Sequence, residues 1–229
     1  MTGSLPKGRP PSLAEGGRPG PCRWWLGAAA LSIGAAAVTG AGAAVLVGPK
    51  PHEIHVRDTG TVPVHAEAGP VTHAPSGSPA PRPAAPVRVR IPSIDLDEPL
   101  TGLRVQQDGH LAVPADPAQA GWWSDGPRPG ENGAAVLVGH LDSAHGPAAF
   151  YNVSALRPGA RINVTRGDGS TAGFTVRALR QYAKDAVPDS QVYATTGPPA
   201  LRLITCGGTY EGAGRGYRDN LVVFATLTH

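Results

Sequence analysis

Cysteine is nearly missing from this chain: 229 residues hold two, Cys22 and Cys206. They stand on opposite sides of a long apolar segment, so a disulfide between them would have to cross a bilayer if that segment spans one. Cys206 is then a lone thiol in its compartment. Also lacking is a clustered basic stripe with interleaved aromatics: the formal charge is only +3 and the basic residues are scattered. That excludes the electrostatic footprint of a nucleic-acid partner. No Gly-rich phosphate loop is present, and one cysteine with one well-placed histidine does not complete a tetrahedral metal site, so no cofactor and no metal are expected. Helical periodicity is scarce, with short candidates only around Ala148–Leu156 and Asp189–Tyr193.

What the chain has in quantity is proline and glycine, 25 and 31 residues, with the prolines crowded toward the N-terminal third. One folded domain is expected. Residues 1–23 are basic, rich in Gly and Pro, and read as a short disordered cytoplasmic tail. Leu26–Val47 is a run of 22 uncharged residues, enough to cross a hydrocarbon core of about 30 Å as a helix. Trp24 and Trp25 precede it as an interfacial aromatic pair, so residues 24–47 read as a single transmembrane anchor. Lys7, Arg9, Arg18 and Arg23 lie before the span and only Lys50 closely after it, which places the rest of the chain outside the cell. A cleaved signal peptide is the alternative, but a cleavable apolar region usually has about 7–15 residues. Residues 48–86 are Pro-rich and read as an extracellular stalk.

From Val87 the character changes. VRVRIPSIDLDEPL alternates apolar and polar residues with period two, as a strand with one buried face does. Further strand runs follow at Ala134–Val138, Arg161–Thr165, Gly173–Leu179, Leu201–Thr205 and Leu221–Leu227, separated by Gly, Pro, Asp and Asn. The pattern predicts an all-β domain over residues 87–229, a mostly antiparallel barrel of seven or eight strands.

Three residues at strand ends could carry chemistry. Cys206 closes the apolar run LRLIT and precedes Gly207 and Gly208; His140 follows AAVLV and Gly139. Arg218 stands just before the last strand, 12 positions after Cys206, a loop length that allows an antiparallel return beside the thiol. Alone, each has a bland reading: a small core hydrophobe, a surface histidine, a solvated arginine. Together, in an exported domain, they match a thiol nucleophile, its proton partner and a guanidinium suited to an oxyanion. His145, in AHGP, and Arg215, between two glycines, are the near competitors.

At these residues the chain resembles the sortases, the actinobacterial class F group in particular. The matching stretches are IPSIDLDEPL (91–100), VPADPAQAGWW (113–123), PGENGAAVLVGHLDS (129–143), LRLITCGG (201–208) and YRDNLVVFA (217–225), in the family's order. The resemblance implies a closed eight-stranded β-barrel behind an N-terminal transmembrane helix. It implies Cys206 as the catalytic nucleophile, His140 as general acid/base, Arg218 as the oxyanion or substrate-positioning arginine, and Thr205 as a substrate contact. The activity it implies is that of a thiol endopeptidase and cysteine transpeptidase. It would cleave an LPXTG-like motif on surface proteins and pass the acyl group to an amine of the cell wall or a pilin. Two other readings are an exported L,D-transpeptidase-like enzyme, whose usual Ser-His-Gly-Cys-x-x-Arg spelling is absent, and a non-catalytic anchored β-barrel binding module.

Overall fold

The computed structural model describes residues 53–63, 81–212 and 214–228. The expected tail at 1–23 and the expected anchor at 24–47, with Cys22, lie outside the described residues. Among the described residues no helix is long and apolar enough to cross a membrane.

The strands are β1 (Thr59–Gly60), β2 (Pro86–Ile91), β3 (Leu96–Leu103), β4 (Ala120–Trp123), β5 (Ala134–Gly139), β6 (Asp142–Ser143), β7 (Gly146–Pro147), β8 (Arg161–Arg166), β9 (Thr171–Ala183), β10 (Ala200–Tyr210) and β11 (Tyr217–Leu227). Helix is limited to α1 (Asp189–Val192) and two 3-10 segments, Pro92–Ile94 and Tyr151–Ala155. Eight strands pair in the order β9-β11-β10-β5-β4-β3-β2-β8, and β8 pairs back onto β9 to close a barrel. Closure leaves the sheet no long open edge. All neighbours are antiparallel except β3–β4 and β5–β10.

The run VRVRIPSIDLDEPL is a hairpin rather than one strand. Pro92 has no N–H for a ladder, the chain turns through Pro92–Ile94, and Asp95 takes a left-handed conformation with φ 51° before β3 begins. β4 has no counterpart in the pattern reading, because Ala-Gly-Trp-Trp is buried at every position and shows no alternation.

Two apolar layers explain the two kinds of strand. Val89, Ile91, Leu137, Phe174, Leu203, Leu221 and Val223 fill the barrel interior. On the outside of β5, β10 and β11 a second cluster joins Val136, Val138, Ile204, Val222 and Phe224 to Trp123, Val187, Val192 and Tyr193. Strands β5 and β10 are therefore covered on both faces, which is why AAVLV and LRLIT read as continuous apolar runs.

Residues 53–63, inside the stretch read as a stalk, dock on the barrel. β8 pairs only with the first part of β9, through Thr175, and β1 takes the edge beyond it at Ala178 and Leu179. Arg180 holds the Thr59 and Gly60 carbonyls at 2.6 and 2.8 Å. Ile54 is buried and bridges to Gly208, whose N–H donates to the Ile54 carbonyl at 2.7 Å.

Candidate active site

Strand register assembles the site. β10 lies between β5 and β11. In the parallel β5–β10 pair, Val138 lies beside Ile204, so the same register carried two residues on, just past the end of β5, brings His140 toward Cys206. In the antiparallel β10–β11 pair, Cys206 faces Asn220. Arg218, two residues before Asn220, shares that face and lies on the diagonal from Cys206, roughly 7–8 Å between Cα atoms. Three neighbouring strands thus bring Cys206, His140 and Arg218 to one end of one face.

Each member is held locally. Gly139 precedes His140 because a Cβ there would meet the Phe150 ring at 2.5 Å, and the Phe150 N–H donates to the His140 carbonyl at 2.8 Å. Gly208 has φ +76°, and a Cβ there would strike the Asp219 carboxylate at 2.4 Å. Asp219 is the residue that orients Arg218: its Oδ1 accepts from Arg218 Nε at 3.3 Å and its Oδ2 from Gln181 Nε2 at 2.7 Å. Gln181 Oε1 in turn accepts from the Val56 N–H at 2.9 Å, which ties the docked segment to the arginine.

The histidine is buried, with Nε2 2.8 Å from the Pro114 carbonyl. A carbonyl only accepts, so Nε2 carries the hydrogen, and in the neutral ring Nδ1 is the proton acceptor. Burial pushes the imidazole below its ordinary value, opposed by the hydrogen bond to Pro114 and the charges of Asp142 and Asp116. The lowered proton affinity favours the neutral ring, whose Nδ1 can take a proton. Cys206 is buried too, packed with Ile54, Leu141 and Tyr217, while the Arg218 side chain is 64% exposed. The thiol and imidazole are thus shielded, and the guanidinium reaches toward whatever approaches from solvent.

The other expected residues fall elsewhere. Thr205 neighbours Cys206 in sequence, but strand alternation places it with Leu201 and Leu203 toward the barrel interior, where its Oγ1 is buried with no hydrogen-bond partner. His145 is exposed in the turn joining β6 and β7, its N–H donating to Ser143 Oγ at 3.2 Å. Arg215 lies in the turn joining β10 and β11, with Nη1 4.0 Å from Glu211 Oε2. The sequence reading did not contain Pro114, Asp219 or Gln181. A main-chain carbonyl leaves no signature in residue type, and only the spelling YRDN hinted at an acidic neighbour for the arginine.

Solved structures to which the chain is similar include sortase A from Corynebacterium diphtheriae, at 21% identity and TM-score 0.48, covering 66% of this chain and 63% of that one. Sortase C-1 from Actinomyces oris matches at 22% identity and TM-score 0.48, covering 62% of this chain and 73% of that one. The pilus-related sortase C of Group B Streptococcus matches at 17% identity and TM-score 0.49, over 63% of this chain and 68% of that one. The chain spans just under two thirds of the Corynebacterium sortase's length. No curated protein matches it. The family of sortase domains matches residues 89–228, more than half the chain and the barrel from within β2 to the end of β11, and on that match the chain belongs to the sortases, a family of cysteine transpeptidases.

Proposed function

We propose that Cys206, His140 and Arg218 perform sortase transpeptidation on an LPXTG-like motif of cell-surface proteins, with an amine of the cell wall or a pilin as acceptor. The observation that supports the reading is the strand order: β10, which carries the thiol, pairs on one side with β5, whose end precedes the histidine, and on the other with β11, which carries the arginine. His140 takes the proton of the Cys206 thiol as the sulfur attacks the scissile carbonyl carbon, forming a C–S bond and an oxyanion that Arg218 stabilises by about 3–4 kcal/mol, the scale of a typical oxyanion donor. Collapse breaks the C–N bond, and His140 donates a proton to the departing amine. The incoming amine gives its proton to His140 as it attacks the thioester, an amide forms, and the thiol is restored. The enzyme is of the actinobacterial class F type, on the stretches that resemble that group. It is anchored by residues 24–47 with its barrel outside the cell.

Mass spectrometry of the chain with LPXTG-type peptides and an amine tests this. A thioacyl adduct on Cys206, resolved when amine is added, is the expected result. Cys206→Ala should form no adduct and transfer nothing while keeping its melting temperature within a few degrees. Transfer by that variant would rule out the covalent route.

A further inference from the structure

Resting on the transfer chemistry above, we propose that Asp142 and Tyr217 are a positioning pair that holds His140 and Arg218 in register across Cys206, with the Asp142 carboxylate as an anionic neighbour of the histidine. The Tyr217 hydroxyl donates a short hydrogen bond to Asp142 Oδ2. Asp142 stands two residues past His140 on β6, and Tyr217 stands immediately before Arg218 at the start of β11. The strand between β5 and β11 is β10, which carries Cys206, so this one bond ties the chain beyond the histidine to the chain before the arginine.

Both ends of the bond are fixed. Tyr217 is buried, its ring packs edge-on against Tyr210 with 5.1 Å between centroids, and it shares an apolar cluster with Cys206, Leu141 and Ile54. On the other side, β6 is folded into a two-stranded ribbon with β7, and the Ala148 N–H donates to the Leu141 carbonyl at 3.2 Å. Buried tyrosines ordinarily satisfy their hydroxyls, so a hydrogen bond alone would be packing. What distinguishes this one is its acceptor, a carboxylate whose charge acts on His140.

The groups that act on the imidazole come from several elements. The β3–β4 connection supplies Asp116 and the Pro114 carbonyl, and β6 supplies Asp142; Cys206 lies on β10, and Arg218 one strand further away on β11. His145 lies exposed on the β6–β7 turn. Asp142 favours the protonated ring against the effect of burial, more strongly than Asp116 does. Removing its charge should therefore lower the proton affinity of His140 further. Removing the Tyr217 hydroxyl should instead loosen the span between histidine and arginine.

The full chain is tested as Asp142→Asn, Asp142→Glu and Tyr217→Phe. The His140 ring is titrated by NMR, and kcat and KM are measured against pH with an LPXTG-type peptide and an amine. Asp142→Asn should move the His140 titration, and the limb of the rate profile that follows it, to lower pH. Asp142→Glu, which keeps the charge, should return both toward the original chain. Tyr217→Phe should lower kcat roughly 10- to 100-fold with KM little changed, as misplacement of a reacting group does. An unmoved His140 titration in Asp142→Asn, or a Tyr217→Phe variant with unchanged kcat, overturns the proposal. Should Asp142→Asn not fold, Asp142→Glu and Tyr217→Phe carry the test. If the original chain transfers nothing while the titration still shifts, the pair keeps its hold on His140 and the transpeptidation reading is what fails.

Discussion

The two halves of the barrel are built from similar residues in opposite surroundings. On one half, β2 turns Val87, Arg88 and Arg90 to water, and Arg88 Nε meets Asp97 Oδ1 at 2.6 Å with both side chains about half exposed. On the other, all six residues of β5 are buried, and Arg202 of β10 is 1% exposed. The guanidinium of Arg202 lies 4.6 Å from the Phe224 ring centroid and donates to the Gln191 and Leu201 carbonyls. Burial pulls its pKa down to about 10, whereas the hydrogen bond that Arg88 donates to Asp97 holds Arg88 above its ordinary value. The difference comes from the layer of Trp123, Val187, Val192 and Tyr193 outside β5 and β10. That layer keeps water off the strands whose ends carry Cys206 and His140, where electrostatic interactions are stronger than in solvent.

Four comparisons break or sharpen this contrast. The largest loss is expected from His140→Ala, roughly 100- to 10,000-fold in kcat/KM, as for removal of a general acid/base, while His145→Ala stays near the original rate. Equal losses in a peptide-transfer assay would leave the acid/base role unassigned. Next, Phe224→Ala removes a side chain shared by the outer layer and Arg202, and should cost about 3–5 kcal/mol in urea unfolding. Val87→Ala, on the wet half, should stay within about 0.5 kcal/mol. The third comparison keeps charge and changes shape: Arg218→Lys should lower kcat about 100-fold, as loss of an oxyanion donor does, and Arg215→Lys should change it little. The reverse result would move the role to Arg215. The smallest effect belongs to Arg88→Ala, whose ion pair is solvent-screened; its thermal midpoint should match that of the original chain, and a clear drop would show that the wet half depends on charge pairing after all.

By itself the sequence determined where the barrel begins and which runs become its principal strands; it read Cys206 as the end of a strand, whereas β10 runs on through Gly207 and Gly208 to Tyr210. The barrel's start and its strand runs are local properties: period-two alternation and continuous apolar runs follow from neighbours along the chain. It also carried the hinge of the β2–β3 hairpin in Pro92, although the alternation running through it read as one strand. Tertiary structure decided the rest. That Cys206 lies between His140 and Arg218 depends on β10 pairing with β5 on one side and β11 on the other, and pairing order has no local signature. The face of Thr205 depends on which side of β10 the barrel closes around. Docking of residues 53–63 depends on β9 extending past the end of β8, a mismatch of strand lengths that leaves an edge to be covered. The partners that tune the site, the Pro114 carbonyl on the imidazole and Asp219 on the guanidinium, come from chain positions brought there only by closure of the sheet or read only once the strand face is known. Hydrogen bonds of that kind are set by three-dimensional proximity, which residue spacing along a chain does not encode.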